Sequence, residues 1–270
     1  MSEFARMDKE ALFDKADKYR DKINHSRPLS GNEIRSLKDY FKISLTYTSN
    51  AIEGNTLTES ETKVLIEDGL TVGGKPVKDY YEAAGHAEAY EYMQSVAQDK
   101  DATIDERLIK KLHRLFYQKV NADKAGKYRT EQIFITGTEY VPPTPDEVPR
   151  LMNKFVNDMN REKGRLHPIE WAALLHKGLV DIHPFIDGNG RTARLLMNLA
   201  LIQEGYGLAV IPPVLRGDYI AALKISQTTH NSEPFICLIA TCVIETQKDY
   251  CRMLNIPLIR EKKIDRGVDR

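Results

Sequence analysis

His183-Pro184-Phe185-Ile186-Asp187-Gly188-Asn189-Gly190-Arg191-Thr192-Ala193-Arg194 joins two apolar helical runs, and the fold is read outward from it. Before it, Pro168 opens a run with Ile169, Ala172, Leu175, Leu179 and Ile182 at helical spacing. Proline is favoured at a first helical position, so a buried helix ending at His183 is predicted. After it, Leu195, Leu196, Leu199, Ala200 and Leu201 predict a second buried helix from Thr192 to Gln203, stopped by Gly205. Gly188-Asn189-Gly190 reads as the turn between them. Two successive helices this apolar mark the centre of a mainly α protein.

The turn also carries chemistry. A glycine-bracketed turn at a helix N-terminus offers backbone N–H groups and the positive end of the helix dipole to an anion. Asp187 lies just before it, where a divalent cation bridging two phosphates could sit. Arg191 and Arg194 are three apart on one helix face, and guanidiniums fork onto phosphates with permanent charge. His183 stands at the mouth, where an imidazole could take a proton from a hydroxyl. Singly, a histidine at a helix end is more often structural and an arginine more often a solvated charge. In fixed order within one short stretch they predict a site for transfer from a polyphosphate with its metal.

The preceding chain reads as helices. Leu12, Ala16, Tyr19 and Ile23 predict one ending before Pro28. Ser30 with Glu33, and Thr58 with Glu61, form capping boxes that open two more. The first of these carries Ile34, Leu37, Phe41, Leu45, Thr48 and Ile52 on one stripe and stops at Gly54, so Ser49 and Glu53 share a face near its C-terminus. A carboxylate there meets the negative end of the dipole at a cost of ~0.3–1 kcal/mol if exposed, unless a cation from elsewhere meets it. Helices are also predicted from Asp79 to about Ala97, around Ile104, Leu108, Leu112 and Leu115 (with a structural His113), from Pro149 to about Arg161, from Asp218 to about Thr229, and from Pro234 to Met253. Gly69-Leu70-Thr71-Val72-Gly73-Gly74-Lys75-Pro76 nearly matches a Walker phosphate loop. Pro76 stands where Ser or Thr should hold magnesium, so a glycine turn between short strands is preferred. Residues 126–145, with a β-branched and aromatic run around Gly137-Thr138, predict a short hairpin. Its strand edge could receive an extended peptide segment, or it is a packed connector.

Composition narrows the classes. The 270 residues are 41% hydrophobic and 29% charged, enough for a sizeable core without disulfides or structural metal. Net charge is +0, from 39 basic and 39 acidic residues, so a global basic field for nucleic acid is absent. Cys237, Cys242 and Cys251 form no CxxC pair and read as buried, reduced thiols. The N-terminus lacks the apolar stretch of a signal peptide, and no apolar run reaches the ~20 residues of a bilayer span. A cytoplasmic protein is expected.

The central stretch matches HPFx[DE]GNGRxxR at every fixed position, and in this it resembles the Fic (filamentation induced by cAMP) family. The resemblance runs over roughly 35–250. It takes in the 126–145 hairpin, similar to the family's target-positioning flap, and Arg216-Gly217-Asp218-Tyr219-Ile220-Ala221-Ala222-Leu223, similar to its adenine-side helix. It implies a Fic-type helical bundle with a small β-hairpin flap, and transfer of AMP from ATP to a protein hydroxyl with release of pyrophosphate. By position it implies His183 as the general base and Asp187 as the ligand of Mg2+. It implies an anion hole of Gly188, Asn189 and Gly190, with Asn189 on the α-phosphate. Arg191 then binds the β-phosphate, Arg194 the γ-phosphate, and Tyr219 lies near adenine. Phe185 would fix the loop in the core. Ser49-Asn50-Ala51-Ile52-Glu53-Gly54 also fits the family's inhibitory motif, [ST]xxxE[GN]. Its upstream place implies a built-in inhibitory helix in which Glu53 pairs with Arg194 and denies that fork to the γ-phosphate.

The expected organisation is an N-terminal helical region, 1–75, holding the inhibitory helix at about 32–54, then a catalytic core, 76–256, and a charged tail, 257–270. The expected function is an autoinhibited protein adenylyltransferase. It would use Mg2+ and ATP on a protein substrate docked on the 126–145 hairpin, or on itself by auto-AMPylation. A homodimer is a further option; no membrane or nucleic-acid partner is expected. The alternative is a de-AMPylating hydrolase in which Glu53 activates water. A metal-dependent phosphohydrolase built on His176, His183, Asp181 and Asp187 leaves the glycine turn unexplained. A non-catalytic binding module would leave the inhibited form as the working state.

Overall fold

In the computed structural model, which describes residues 3–99, 102–135 and 138–259, helices begin where the sequence caps them. Asp8 accepts from the N–H groups of Glu10 and Ala11 and opens α1 (Lys9–His25). Ser30 Oγ accepts from the Glu33 N–H at 3.3 Å while the Glu33 carboxylate accepts from the Ser30 N–H at 2.7 Å, opening α2 (Gly31–Ile52). Thr58 and Glu61 do the same for α3 (Glu59–Asp68), at 3.2 and 2.7 Å. Such caps are each worth about 1 kcal/mol because they satisfy N–H groups the helix itself leaves orphaned. Then follow α4 (Val77–Ala97), α5 (Glu106–Tyr117), α6 (Val148–Glu162), α7 (Pro168–Ile182), α8 (Asn189–Gln203), α9 (Arg216–Thr229) and α10 (Glu233–Met253).

The apolar runs on either side of the central stretch become the core pair, α7 against α8, the most extensive contact between two helices among the described residues. Leu175, Leu179, Leu195, Leu196, Leu199 and Leu201 are wholly buried, each contributing about 1.5–3 kcal/mol by transfer from water. On one side α10 packs on α1, α7 and α9; on the other, α4 packs on α2, α5 and α8. This arrangement carries the C-terminal end of α2 to the beginning of α8. It is held there by Arg216, whose Nε donates to the Ile52 carbonyl at 2.7 Å. The segment just after α2 is tied to α4, where the Thr56 N–H and Oγ donate to Asp79 Oδ2 at 2.7 and 2.6 Å.

Three expectations need correction. Among the described residues of 126–145 there is no strand, so the small β-hairpin flap is not present as a ladder; Gly137, where its turn was expected, lies outside the described residues. Side chains take the carbonyls that a ladder would use. Arg129 donates to the Glu131 and Pro143 carbonyls, and the Gln132 amide donates to the Ile133 and Pro142 carbonyls. Pro142, Pro143 and Pro145 also have no N–H to contribute. Residues 69–76 likewise form no strands. Gly69 ends α3, and Lys75 donates to the Thr56 carbonyl at 2.7 Å and pairs with Glu61 at 3.5 Å. Finally, α8 begins at Asn189, one turn before the expected Thr192, so the glycine-rich turn is the first turn of the helix itself. The three cysteines are free and buried. Among the described residues no helix is long and apolar enough to cross a membrane.

Candidate active site

The central stretch is braced from within. α7 ends at His183 in the left-handed region (φ 51°), and Gly188 turns the chain again at φ 77° into α8. Between them the Asn189 side chain closes the loop: its Oδ1 accepts from the Phe185 N–H at 2.9 Å and its Nδ2 donates to the Phe185 carbonyl at 2.8 Å. What Asn189 has left for an anion is its backbone N–H, in the first turn that α-helices leave without intrahelical acceptors. Phe185 is wholly buried and stacks on His113, with ring centroids 3.8 Å apart. The His113 ring is itself fixed. Nδ1 accepts from the Gly126 N–H at 2.8 Å, which leaves Nε2 to donate to the Asp187 carbonyl at 3.0 Å. Burial keeps it neutral, with its pKa lowered to about 4.

His183 Nδ1 donates to the Val180 carbonyl at 3.0 Å, so Nε2 carries the lone pair. Burial lowers the His183 pKa, partly offset by that hydrogen bond and by the nearby Glu53 charge. The imidazole is thus neutral at physiological pH. The 126–145 segment is tied to the same turn. Arg129 donates from its N–H to the Pro184 carbonyl and from Nε to the His183 carbonyl, both at 2.9 Å, and Tyr140 Oη donates to the Asp181 carbonyl at 2.9 Å. Between flap, turn and α9 lies a pocket of about 190 Å³, lined by His183, Asp187, Gly188, Asn189 and Gly190 with Glu53 and Thr138 on its walls.

The two arginines are buried rather than solvated. Arg191 is 3% exposed, lies over the Phe116 ring, and pairs with Glu82 at 2.9 Å and Asp187 at 3.3 Å. Arg194 is 2% exposed. Its Nη2 donates to Glu53 Oε1 at 2.7 Å and to the Ser49 carbonyl at 2.8 Å, its Nε to Ser49 Oγ at 2.9 Å, and its Nη1 to Tyr219 Oη at 3.1 Å. Burial works against charge on Glu53, but Arg194 and Arg191 outweigh it and hold the carboxyl below its ordinary range. Tyr219 Oη in turn lies 2.9 Å from His176 Nε2. Since Oη accepts from Arg194, its own hydrogen goes to His176, which burial and Arg194 keep neutral. The approach of Glu53 to α8 is close: a Cβ at Gly190 would stand 2.3 Å from Glu53 Oε1 and 3.2 Å from Arg194 Nη1. Space for the carboxylate therefore depends on glycine at that position.

The Fic/DOC family profile matches residues 103–201, from α5 through most of α8. A Fic-domain-containing signalling protein of Bacteroides thetaiotaomicron is 32% identical and superposes with a TM-score of 0.81, covering 91% of this chain and 100% of its own. The chain belongs to the Fic family. Fic-1 of C. elegans (residues 134–508) superposes with a TM-score of 0.83 at 27% identity, over 92% of this chain and 73% of that one. The protein named "Protein adenylyltransferase Fic" in Nematostella vectensis is 39% identical over 95% of this chain and 60% of its own length. The Drosophila melanogaster protein of that name is 36% identical over 88% and 47%. The chain thus spans about half the length of the curated relatives it matches.

In this Fic domain, His183, Asp187, Gly188, Asn189, Gly190, Tyr219 and Glu53 line one pocket, with Arg194 and Ser49 directly behind Glu53. Arg191 is turned toward Glu82 and Asn50. Tyr219 is buried at 2% exposure, and its hydroxyl faces Arg194 and His176. Sequence reading missed Glu82, Arg129 and Gln227. Gln227 lines the pocket from α9 and donates its amide N–H to Asp181 at 3.0 Å. No local pattern marks these three; each gains its role from contacts across distant parts of the chain. Among the described residues no cluster of three His, Cys, Asp or Glu could cage a metal. Asp187, about 39% exposed with Oδ2 3.7 Å from Lys78 Nζ, is a carboxylate on the pocket wall that could hold magnesium, which is commonly bound through one or two carboxylates when it arrives with a polyphosphate and keeps its waters.

Proposed function

We propose that this Fic protein is an autoinhibited protein adenylyltransferase, moving AMP from ATP to a Ser, Thr or Tyr hydroxyl. The observation that carries the reading is the 2.7 Å pair between Glu53 and Arg194 within a complete signature. The names of relatives 36–39% identical support the reaction type. The exposed apolar side chains of the flap, Phe134 at 77% and Val141 at 57%, suit a protein as the hydroxyl donor.

In this mechanism the acceptor oxygen attacks the α-phosphorus, the bond to the bridging oxygen of the β-phosphate breaks, and pyrophosphate leaves. His183 Nε2 takes the acceptor's proton, its ring aimed by the Nδ1–Val180 bond. The first-turn N–H groups of α8 meet the charge developing on the α-phosphate. Asp187 would hold magnesium, which when bound neutralises phosphate charge. Arg194 supplies a fork for the γ-phosphate once Glu53 is gone. While Glu53 stays, that fork is occupied and the γ-phosphate meets a like charge, so the nucleotide sits out of line. The region through α3 is then regulatory, and 76–256 is the catalytic core. The test is to incubate Glu53→Gly protein with each nucleoside triphosphate and weigh the product. Addition of AMP from ATP is expected; addition of a different group would contradict the substrate assignment.

The same Glu53, ionised and on the pocket wall, supports a second reading in which it activates water to remove AMP from a modified protein. Release of AMP from a pre-modified protein by the native enzyme, lost in Glu53→Gly, would establish that direction; equal release by both would exclude it.

A further inference from the structure

Resting on the transfer reaction above, we propose that Thr138 is the chain's own substrate, its hydroxyl presented by the flap to the active-site pocket and AMPylated in cis. Thr138 lines the same cavity as His183, Asp187 and Gly188. Among the described residues two hydroxyl-bearing side chains line that cavity, Thr138 and Tyr219. Tyr219 is ruled out by its partners: its oxygen accepts from Arg194, its hydrogen faces His176 Nε2 at 2.9 Å, and it is 2% exposed. Thr138 is half-buried, and its Oγ accepts from the Tyr140 N–H at 3.1 Å, a bond that leaves the hydroxyl hydrogen unused. The flap's other described hydroxyl near the site, Tyr140 Oη, is engaged as a donor to the Asp181 carbonyl. The segment cannot stray far from the base. Arg129 fixes one side to the His183 and Pro184 carbonyls, and Tyr140, two residues after Thr138, fixes the other to the end of α7. A tethered nucleophile reacts at high effective concentration.

The step balances with ATP as co-reactant. Thr138 Oγ forms a bond to the α-phosphorus, the bond from that phosphorus to the bridging oxygen breaks, pyrophosphate leaves, and the hydroxyl proton passes to His183 Nε2. The AMP then remains in the cavity that delivered it, so the reaction stops at one AMP per chain and blocks the site to other acceptors.

The experiment uses the full chain carrying Glu53→Gly, incubated with ATP and magnesium, with pyrophosphate release followed in parallel. The tryptic peptide Thr130–Arg150 is then sequenced by mass spectrometry. AMP is expected on Thr138, absent in Thr138→Ala and retained in Thr138→Ser, with a fraction modified per unit time that does not change with chain concentration. Pyrophosphate release with Thr138 unmodified, AMP on Thr136, Tyr140 or any other residue in its place, or a rate that rises with chain concentration would each overturn the inference while leaving the transfer reaction standing. No pyrophosphate release at all would remove the transfer reaction, and this inference with it.

Discussion

At the scale of residues, Glu53 approaches the first turn of α8 closely. Gly190 sits at a helix first turn, where alanine would be an ordinary residue, yet its Cβ would fall 2.3 Å from the Glu53 carboxylate. Alanine at 190 must therefore shift the Glu53 carboxylate, the flexible end of its side chain, relative to Arg194. Removing one partner of a buried charge pair costs ~3–5 kcal/mol; here both partners remain and Glu53 is about one third exposed, so the loss from weakening the pair falls below that range. Gly190→Ala is expected to lower Tm in the native background and to have little effect when Glu53→Gly is already present. A thermal-melt double-mutant cycle measures that coupling; additive losses would show that the clash lies elsewhere. Much of this site was legible from the sequence because His183 through Arg194 is contiguous, so chain order itself supplies the proximity. The partners of Arg191 were not. Glu82 and Asn50 come from α4 and α2, and nothing local ties either to an arginine more than a hundred positions away. Asn189 shows a different limit. Its position in the signature was plain, but only the structure shows that its amide is committed to the Phe185 backbone.

At the scale of elements, α2 acts as an arm that holds Glu53 over the pocket. Its start was readable in the Ser30–Glu33 capping box, and its stop in Gly54, because both signals are local. Its final placement depends on Arg216 of α9, which donates to the Ile52 carbonyl at the end of α2. Losing one such bond costs about 1 kcal/mol. Arg216→Ala is therefore expected to loosen Glu53 and to raise basal ATP-dependent labelling about fivefold, less than deletion of the carboxylate does. Labelling no higher than native would contradict the idea that α9 secures the arm. The flap was the least legible element. Its β-branched and aromatic residues promised a ladder, but three prolines and the side chains of Arg129 and Gln132 satisfy the segment without one. The α8 start was misplaced by one turn for a related reason: glycines that read as a loop are what allow the helix to begin against Glu53 and Phe116.

At the scale of the whole molecule, the core encloses histidines that stay neutral. His86 and His113 have pKa values lowered to about 3 and about 4, and His176 is well below its usual value, in each case chiefly by burial. In the unfolded chain each binds a proton near pH 6.5. Below that pH the unfolded state holds more protons than the folded one, so stability falls as pH falls. Each histidine contributes about 1.4 kcal/mol per pH unit between its unfolded and folded values. Thermal melts are expected to show a steep loss of Tm from pH 6.5 toward pH 4, reduced in His86→Asn or His176→Asn protein that still folds. A Tm flat across that range would mean the buried rings are charged. The overall arrangement, with α7 and α8 at the centre and α2 and α10 around them, follows from apolar runs visible in the chain, while the way α2 and α9 meet over the pocket follows from long-range polar contacts. In the proposed function one carboxylate at the end of α2, Glu53, holds the site off. This is tested most directly by ATP labelled at the α-phosphate, given side by side to native, Glu53→Gly and His183→Ala protein. Covalent label is expected at least ~10²-fold higher in Glu53→Gly than in native, and none in His183→Ala; equal labelling of native and Glu53→Gly protein would contradict inhibition by Glu53.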